Sequence, residues 1–124
     1  MDCDLPYREQ LLSINQARNC LTHRSGVVGQ ADAREDPNHQ CLVVKYFAPE
    51  LVCINSNGVE QVVKPGSIIE EGLFQLRRQN TPKEKVFRVG TRVGFSTQDF
   101  YDMIETIWLT GATYVDRLIQ RSQL

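Results

Sequence analysis

No run of eighteen apolar residues occurs in this chain, so no segment of it suits an ordinary membrane-spanning helix. The four cysteines, Cys3, Cys20, Cys41 and Cys53, show no C-x-x-C spacing. A zinc site drawn from Cys3, Cys20, His23 and Cys41 therefore lacks the paired ligands that metal sites use, and no metal or cofactor is expected. With no secretory segment ahead of them, the cysteines read as reduced and the chain as cytoplasmic. Cys20 and Cys53 stand where small apolar residues would pack. A formal net charge of −1 gives no overall electrostatic footprint for nucleic acid, so any RNA contact must be local. There is no glycine-rich phosphate loop, no convincing pair of catalytic carboxylates, and no serine or cysteine nucleophile with a base in a plausible place.

What is present is the mix of an ordinary globular domain: 124 residues, 41% hydrophobic and 23% charged. The pattern predicts a single α+β domain over 1–124. Its parts are an N-terminal motif helix within 1–28, a small antiparallel β-meander within 40–95, and a long amphipathic C-terminal helix over 97–122 that packs on helix and sheet. The first helix is expected over about 7–25, with Asp4 or Pro6 near its start and Gly26 at its end. Residues 29–38 end in turn chemistry and read as a mobile loop, placed as a lid if a site lies beside His23.

Cys41 to Phe47 is rich in β-branched and aromatic residues, and Pro49 is expected to break it. A second run, Leu51 to Asn55, pairs with Val59 to Val63 across Asn57-Gly58, a strong hairpin signal. Lys64-Pro65-Gly66 turns the chain again. Ser67 to Gln79, with Ile68, Ile69, Leu73 and Leu76 against Glu70 and Glu71, fits either a bulged strand or a short helix. The reading adopted is an extended start and a loose second half. Lys85 to Phe95 is expected to be one strand bent at Gly90 or Gly94.

Ser96 and Asp99 form a capping pair, after which Phe100, Ile104, Ile107, Trp108, Gly111, Ala112, Val115, Leu118 and Ile119 recur at helical spacing. A helix of that length runs about 37 Å at about 1.5 Å per residue, more than a small sheet and a short helix need to cover. It either lies across the sheet or meets a partner with its free stretch, and the two are compatible. Trp108 and Tyr114 read as core or interface anchors.

The chain has only two histidines, His23 and His39, and His23 follows an arginine closely in Arg18-Asn19-Cys20-Leu21-Thr22-His23. A fixed cation for phosphate oxygens and a group that moves protons near neutral pH are the minimum for metal-free phosphodiester cleavage. On an ideal helix Ile14, Ala17 and Leu21 share an apolar face. Arg18, Thr22, Asn15, Asn19 and His23 form a polar band about 140° wide beside it. Arg18 and His23 do not converge on a straight helix. A site using both needs a loosened last turn or a second chain; otherwise the helix is simply amphipathic. Arg77, Arg78, Lys83, Lys85, Arg88 and Arg92 are further local candidates for RNA contact.

The stretch Ile14 to Gly26 resembles the signature helix of the HEPN superfamily, in which an arginine is followed after four to six residues by a histidine, often with a polar residue directly after the arginine. The resemblance implies a dimerising helical domain with two motif helices around a shared cleft, and in many members a metal-independent RNA endonuclease of toxin or antiviral type. By position it assigns Arg18 to the scissile phosphate, Asn19 to orientation and His23 to acid–base catalysis, with Arg24 and Asn15 as RNA-binding neighbours. Only about seventeen residues precede Arg18, where the family places several helices. The resemblance thus implies either a fragment of a longer protein or a divergent, reduced member that completes its bundle by association.

Two function classes follow. One is an endoribonuclease leaving 2′,3′-cyclic phosphate ends, or an incomplete piece of one, with RNA as substrate, a homodimeric state and an antitoxin protein as partner. The other is a noncatalytic protein-interaction or dimerisation module. Neither involves a membrane.

Overall fold

The computed structural model describes residues 5–64, 66–68, 72 and 74–123. Expectations for Cys3, Asp4, Pro65, Ile69, Glu70, Glu71 and Leu73 lie outside the described residues. The fold is α+β as the sequence predicts. Helix α1 (Arg8–His23) leads through a 3₁₀ turn at Gln30–Ala33 to β1 (Cys41–Asn55), β2 (Glu60–Val63), β3 (Phe74–Arg88) and helix α2 (Thr97–Ser122). The three strands form one antiparallel sheet in the order β2-β1-β3.

Strand β1 is the centre of the structure. Leu42, Val44, Tyr46 and Ala48 alternate inward as the period of two requires. Ala17 and Cys20 of α1, Val28 and Met103 of α2 close over Leu42, Val44 and Tyr46, with Ile14, Phe87, Val93 and Phe95 packed around them. Cys20 and Cys53 are buried, as expected for packing residues.

Two expectations need correction. Pro49 does not break the strand: β1 runs unbroken through it, with Pro49 opposite Asn80. Likewise β3 is one strand from Phe74 to Arg88: it includes residues 74–79, expected to be loose, and ends before Gly90 instead of running from Lys85 to Phe95. Both follow from the parity of the ladder. Adjacent residues of a strand direct their backbone groups to opposite sides, and the odd-numbered residues of β1 turn away from β3. Pro49 therefore removes no bond between these strands, and Pro82, opposite Phe47, sits at an equally unbonded pair.

Most of the edge of β1 turned away from β3 is closed group by group, the stretch at Val43 excepted. Beyond Pro49 it pairs with β2, Leu51 against Val63 and Cys53 against Gln61. The Asn55 amide then donates to Val59 O at 3.1 Å across a turn in which Gly58 takes φ 80°. Before Pro49 side chains replace a strand. The amide of Cys41 donates to Asp36 Oδ2 at 3.1 Å, that of Lys45 to Ser13 Oγ at 2.8 Å, and that of Phe47 to Thr106 Oγ1 at 2.8 Å. The Ser13 hydroxyl proton is shared between the carbonyls of Gln10 and Lys45, and that of Thr106 between Asp102 and Phe47. One serine from α1 and one threonine from α2 thus hold both helices to the same strand edge.

The start of α2 is fixed by a second polar cluster. Ser96 and Asp99 form the expected capping box. Asp99 also accepts from Lys85 Nζ at 2.6 Å and from the Tyr46 hydroxyl at 3.0 Å, joining α2 to β3 and β1. The Lys85 ammonium, followed by the Ser96 and Tyr46 donors, holds the Asp99 carboxyl well below the usual carboxylate range against the opposing effect of burial. Burial, and then the Asp99 carboxylate, push the Tyr46 phenol up to about 12 from 10.0.

Two predictions follow. Thr106→Val keeps the shape of the side chain but orphans the Phe47 amide, and should lower stability by about 1–3 kcal/mol in urea unfolding. A raised folded-state pKa means that the contribution of Tyr46 is complete below pH 10.0 and is lost as pH rises toward about 12. The depressed carboxyl of Asp99 acts in the opposite sense: its contribution is present above the ordinary carboxylate range and is lost progressively as pH falls below that range toward the depressed folded-state value. Melting temperature against pH should therefore fall on both sides for the wild type, and Tyr46→Phe should remove much of the alkaline fall.

Candidate interaction surface

The motif helix forms where the sequence places it, and its last turn ends in left-handed geometry at Ser25 (φ 53°) and Gly26 (φ 80°). Arg18 and His23 are exposed on it, Asn15 is exposed and Asn19 is half-buried. Among the described residues none forms a hydrogen bond or ion pair with the side chains of Arg18, Asn19 or His23. No described residue, then, orients them toward a common point.

Arg24 is differently placed. Its Nε donates to Asp32 Oδ2 at 2.7 Å, and its Nη2 pairs with Asp32 Oδ1, making a two-pronged ion pair. The Gly29 amide adds a bond to Oδ2 at 2.8 Å. Burial alone would raise the Asp32 carboxyl; the guanidinium and the amide outweigh it and leave it below the usual range. Burial, and then the Asp32 carboxylate, push the neighbouring Cys20 thiol up, which suits a packing role rather than a nucleophile. The segment expected to be a mobile lid is accordingly a fixed one: Asp32 and Ala33 are buried in a 3₁₀ turn, and Asp36 binds the amides of Gln40 and Cys41. The expected RNA-binding guanidinium of Arg24 is engaged within the chain.

A cleft of about 360 Å³ lies between the first half of α1, the 30–37 segment and β1. By the parity of the ladder, the backbone groups of Val43 face this uncovered stretch of edge. None of Asn15, Arg18, Asn19 or His23 lines the cleft. Glu9, Glu35, Asp36 and Glu84 do, and Lys45, its one lysine, is paired with Glu9. That sign is opposite to what a phosphate backbone needs. Of the further basic candidates, Arg77 pairs with Glu60, Arg78 with Glu105 and Lys85 with Asp99. Among the described residues no cluster suited to a metal occurs, and no helix is long and apolar enough to cross a membrane.

The unbalanced surface is on α2. Its buried residues are Asp102, Met103, Thr106 and Thr110, and among these Met103 alone is apolar. Turning about 100° per residue, these four share one side of the helix, while Phe100, Ile104, Ile107, Trp108, Val115 and Leu118 centre about 130° away from it. All six are exposed, Ile104 at 61% and Trp108 at 70%. After Thr110 no described residue of α2 is buried. The apolar periodicity is therefore real, but it is not the face that packs on the sheet; the sequence signal that could have shown this is the threonine pair Thr106 and Thr110 on a different side from the stripe.

Gly111 lies in the middle of that outward face. A Cβ added there would meet nothing within 4 Å, so no close approach inside the chain requires glycine. Glycine in mid-helix costs about 1 kcal/mol relative to alanine. The chain carries that cost without an internal return.

Arg24→Ala, which leaves the buried Asp32 carboxylate without its cation, should lower the melting temperature clearly, whereas Arg18→Ala and His23→Ala should leave it unchanged. Parallel melts of the three variants check this.

Comparison with known proteins adds no relative: no family model, no curated protein and no solved structure matches this chain.

Proposed function

We propose that this chain is a noncatalytic protein-interaction module whose working surface is the outward face of α2. The observation that carries the reading is the inversion of that helix, with Asp102, Thr106 and Thr110 buried beside the single apolar Met103 and isoleucine, tryptophan, valine and leucine toward solvent. Contiguous exposed apolar surface beyond a few hundred Å² is characteristic of interaction sites. The second half of α2 adds support, since a stretch of helix with no buried side chain gains little from its own fold and is stabilised by what docks on it.

The double variant Ile104→Glu, Ile107→Glu tests the reading. Its midpoint in urea should be compared with the wild type at concentrations where neither midpoint depends on concentration. Surface substitutions of this kind shift stability by roughly 0.5 kcal/mol or less, and the variant should fold while losing contacts made through α2. Loss of the fold would place both isoleucines in the chain's own core and end the reading.

A ribonuclease reading draws on the HEPN resemblance and on the exposure of Arg18 and His23, which leaves both accessible to an RNA or a second chain. Arg18 and Asn19 would neutralise charge on the phosphate and His23 would move the proton, with an antitoxin protein as the controlling partner. In EDTA, wild-type protein would then cut RNA to 2′,3′-cyclic phosphate ends and His23→Ala would not. Equal products from both would eliminate it.

A further inference from the structure

We infer that the partner on the outward face of α2 is a second copy of this chain, packed antiparallel with the two helices crossing at Gly111. The inference rests on the interaction-module reading and names its occupant. A two-fold interface requires a patch that is complementary to itself when reversed. The stripe meets that condition. Counting from Gly111, Ile107 and Val115 lie four residues to either side, and Ile104 and Leu118 lie seven. Reversal therefore places Ile107 opposite the partner's Val115 and Ile104 opposite the partner's Leu118.

Shape follows the same symmetry. A shallow groove of about 540 Å³ runs along α2 beside Trp108, lined by Gly111, Ala112, Val115, Asp116 and Ile119. Reversal about Gly111 carries Trp108 to the level of the partner's residue 114, the middle of that groove. Each exposed indole then fills the hollow that Gly111 and Ala112 leave open on the other copy. Asp116, on the groove wall, offers the acceptor that a buried indole N–H needs. A parallel pair would instead set one indole against the other and leave both grooves empty. The empty space around Gly111 has its explanation here, because the partner's Gly111 lies opposite it at the crossing point and the two backbones can approach closely.

The area agrees. The exposed parts of the six stripe side chains, with Tyr101 and Ile119 flanking them, sum to roughly 800 Å², which when wholly covered is near the share each partner contributes to a standard stable interface.

Sedimentation equilibrium of the whole chain over a wide concentration range tests this, with emission of Trp108, the one tryptophan, as an internal reporter. The expected result is a monomer–dimer equilibrium in which the emission shifts to the blue as dimer forms. Gly111→Leu should be folded and monomeric, and Trp108→Ala should associate at least about 30-fold more weakly. With Cys3 and Cys41 replaced by serine, Ile104→Cys and Leu118→Cys chains should cross-link when mixed and much less when each is alone. A wild type that stays monomeric with a water-exposed indole would overturn the self-pairing while leaving the interaction reading to the urea experiment above. A dimer indifferent to Gly111→Leu and Trp108→Ala, or cross-linking by each single variant alone, would overturn the proposed face and orientation respectively.

Discussion

The free edge of β1 before Pro49 is the constraint on which the rest of this structure depends. A central strand bonded on one side only would expose a row of amides and carbonyls, which either recruits another strand or costs free energy when covered. Here Asp36, Ser13 and Thr106 supply the missing partners one at a time. To do so, α2 must turn Thr106 toward the sheet, and Asp102, Met103 and Thr110 are buried on the same side. The apolar residues of the same helix are then left on the outside. Capping the strand and exposing the stripe are two sides of one arrangement.

A second consequence concerns the connection from α1 to β1. The Arg24–Asp32 pair, reinforced by the Gly29 amide, fixes the 30–33 turn against α1, and Asp36 fixes the entry to β1. The same contacts wall the acidic cleft. They also separate the motif residues into two groups: Arg24 inside a structural ion pair, and Arg18, Asn19 and His23 outside it with no hydrogen bond or ion pair to their side chains among the described residues.

Much of the fold was legible in local sequence. The Ser96–Asp99 cap, the Asn57-Gly58 turn, the stop at Gly26 and the extent of the last helix all depend on residues within a few positions of one another. Pro49 and Pro82 were not legible as strand residues, because their tolerance depends on which edge of the ladder each faces, and pairing sets that. The inward side of α2 was hidden for a related reason. Periodicity shows that a helix has an apolar side without showing that this side meets the chain's own core, and Thr106 is buried for its hydroxyl. At the motif, spacing identified a cation and a histidine on one helix; whether other residues orient them is a tertiary question, and the ion pair that took Arg24 came from Asp32, in a segment read as mobile.

Amide hydrogen exchange at high protein concentration and at extreme dilution tests the central claim, that α2 is held by a polar inner side and offers its apolar side to a partner. The amides of Lys45 and Phe47 should be strongly protected under both conditions, since side chains of the same chain cap them. Amides of α2 beyond Thr110 should be protected at high concentration and exchange much faster on dilution. Equal protection of that half-helix at both concentrations would contradict the account, because it would mean that its outward face is already covered within a single chain.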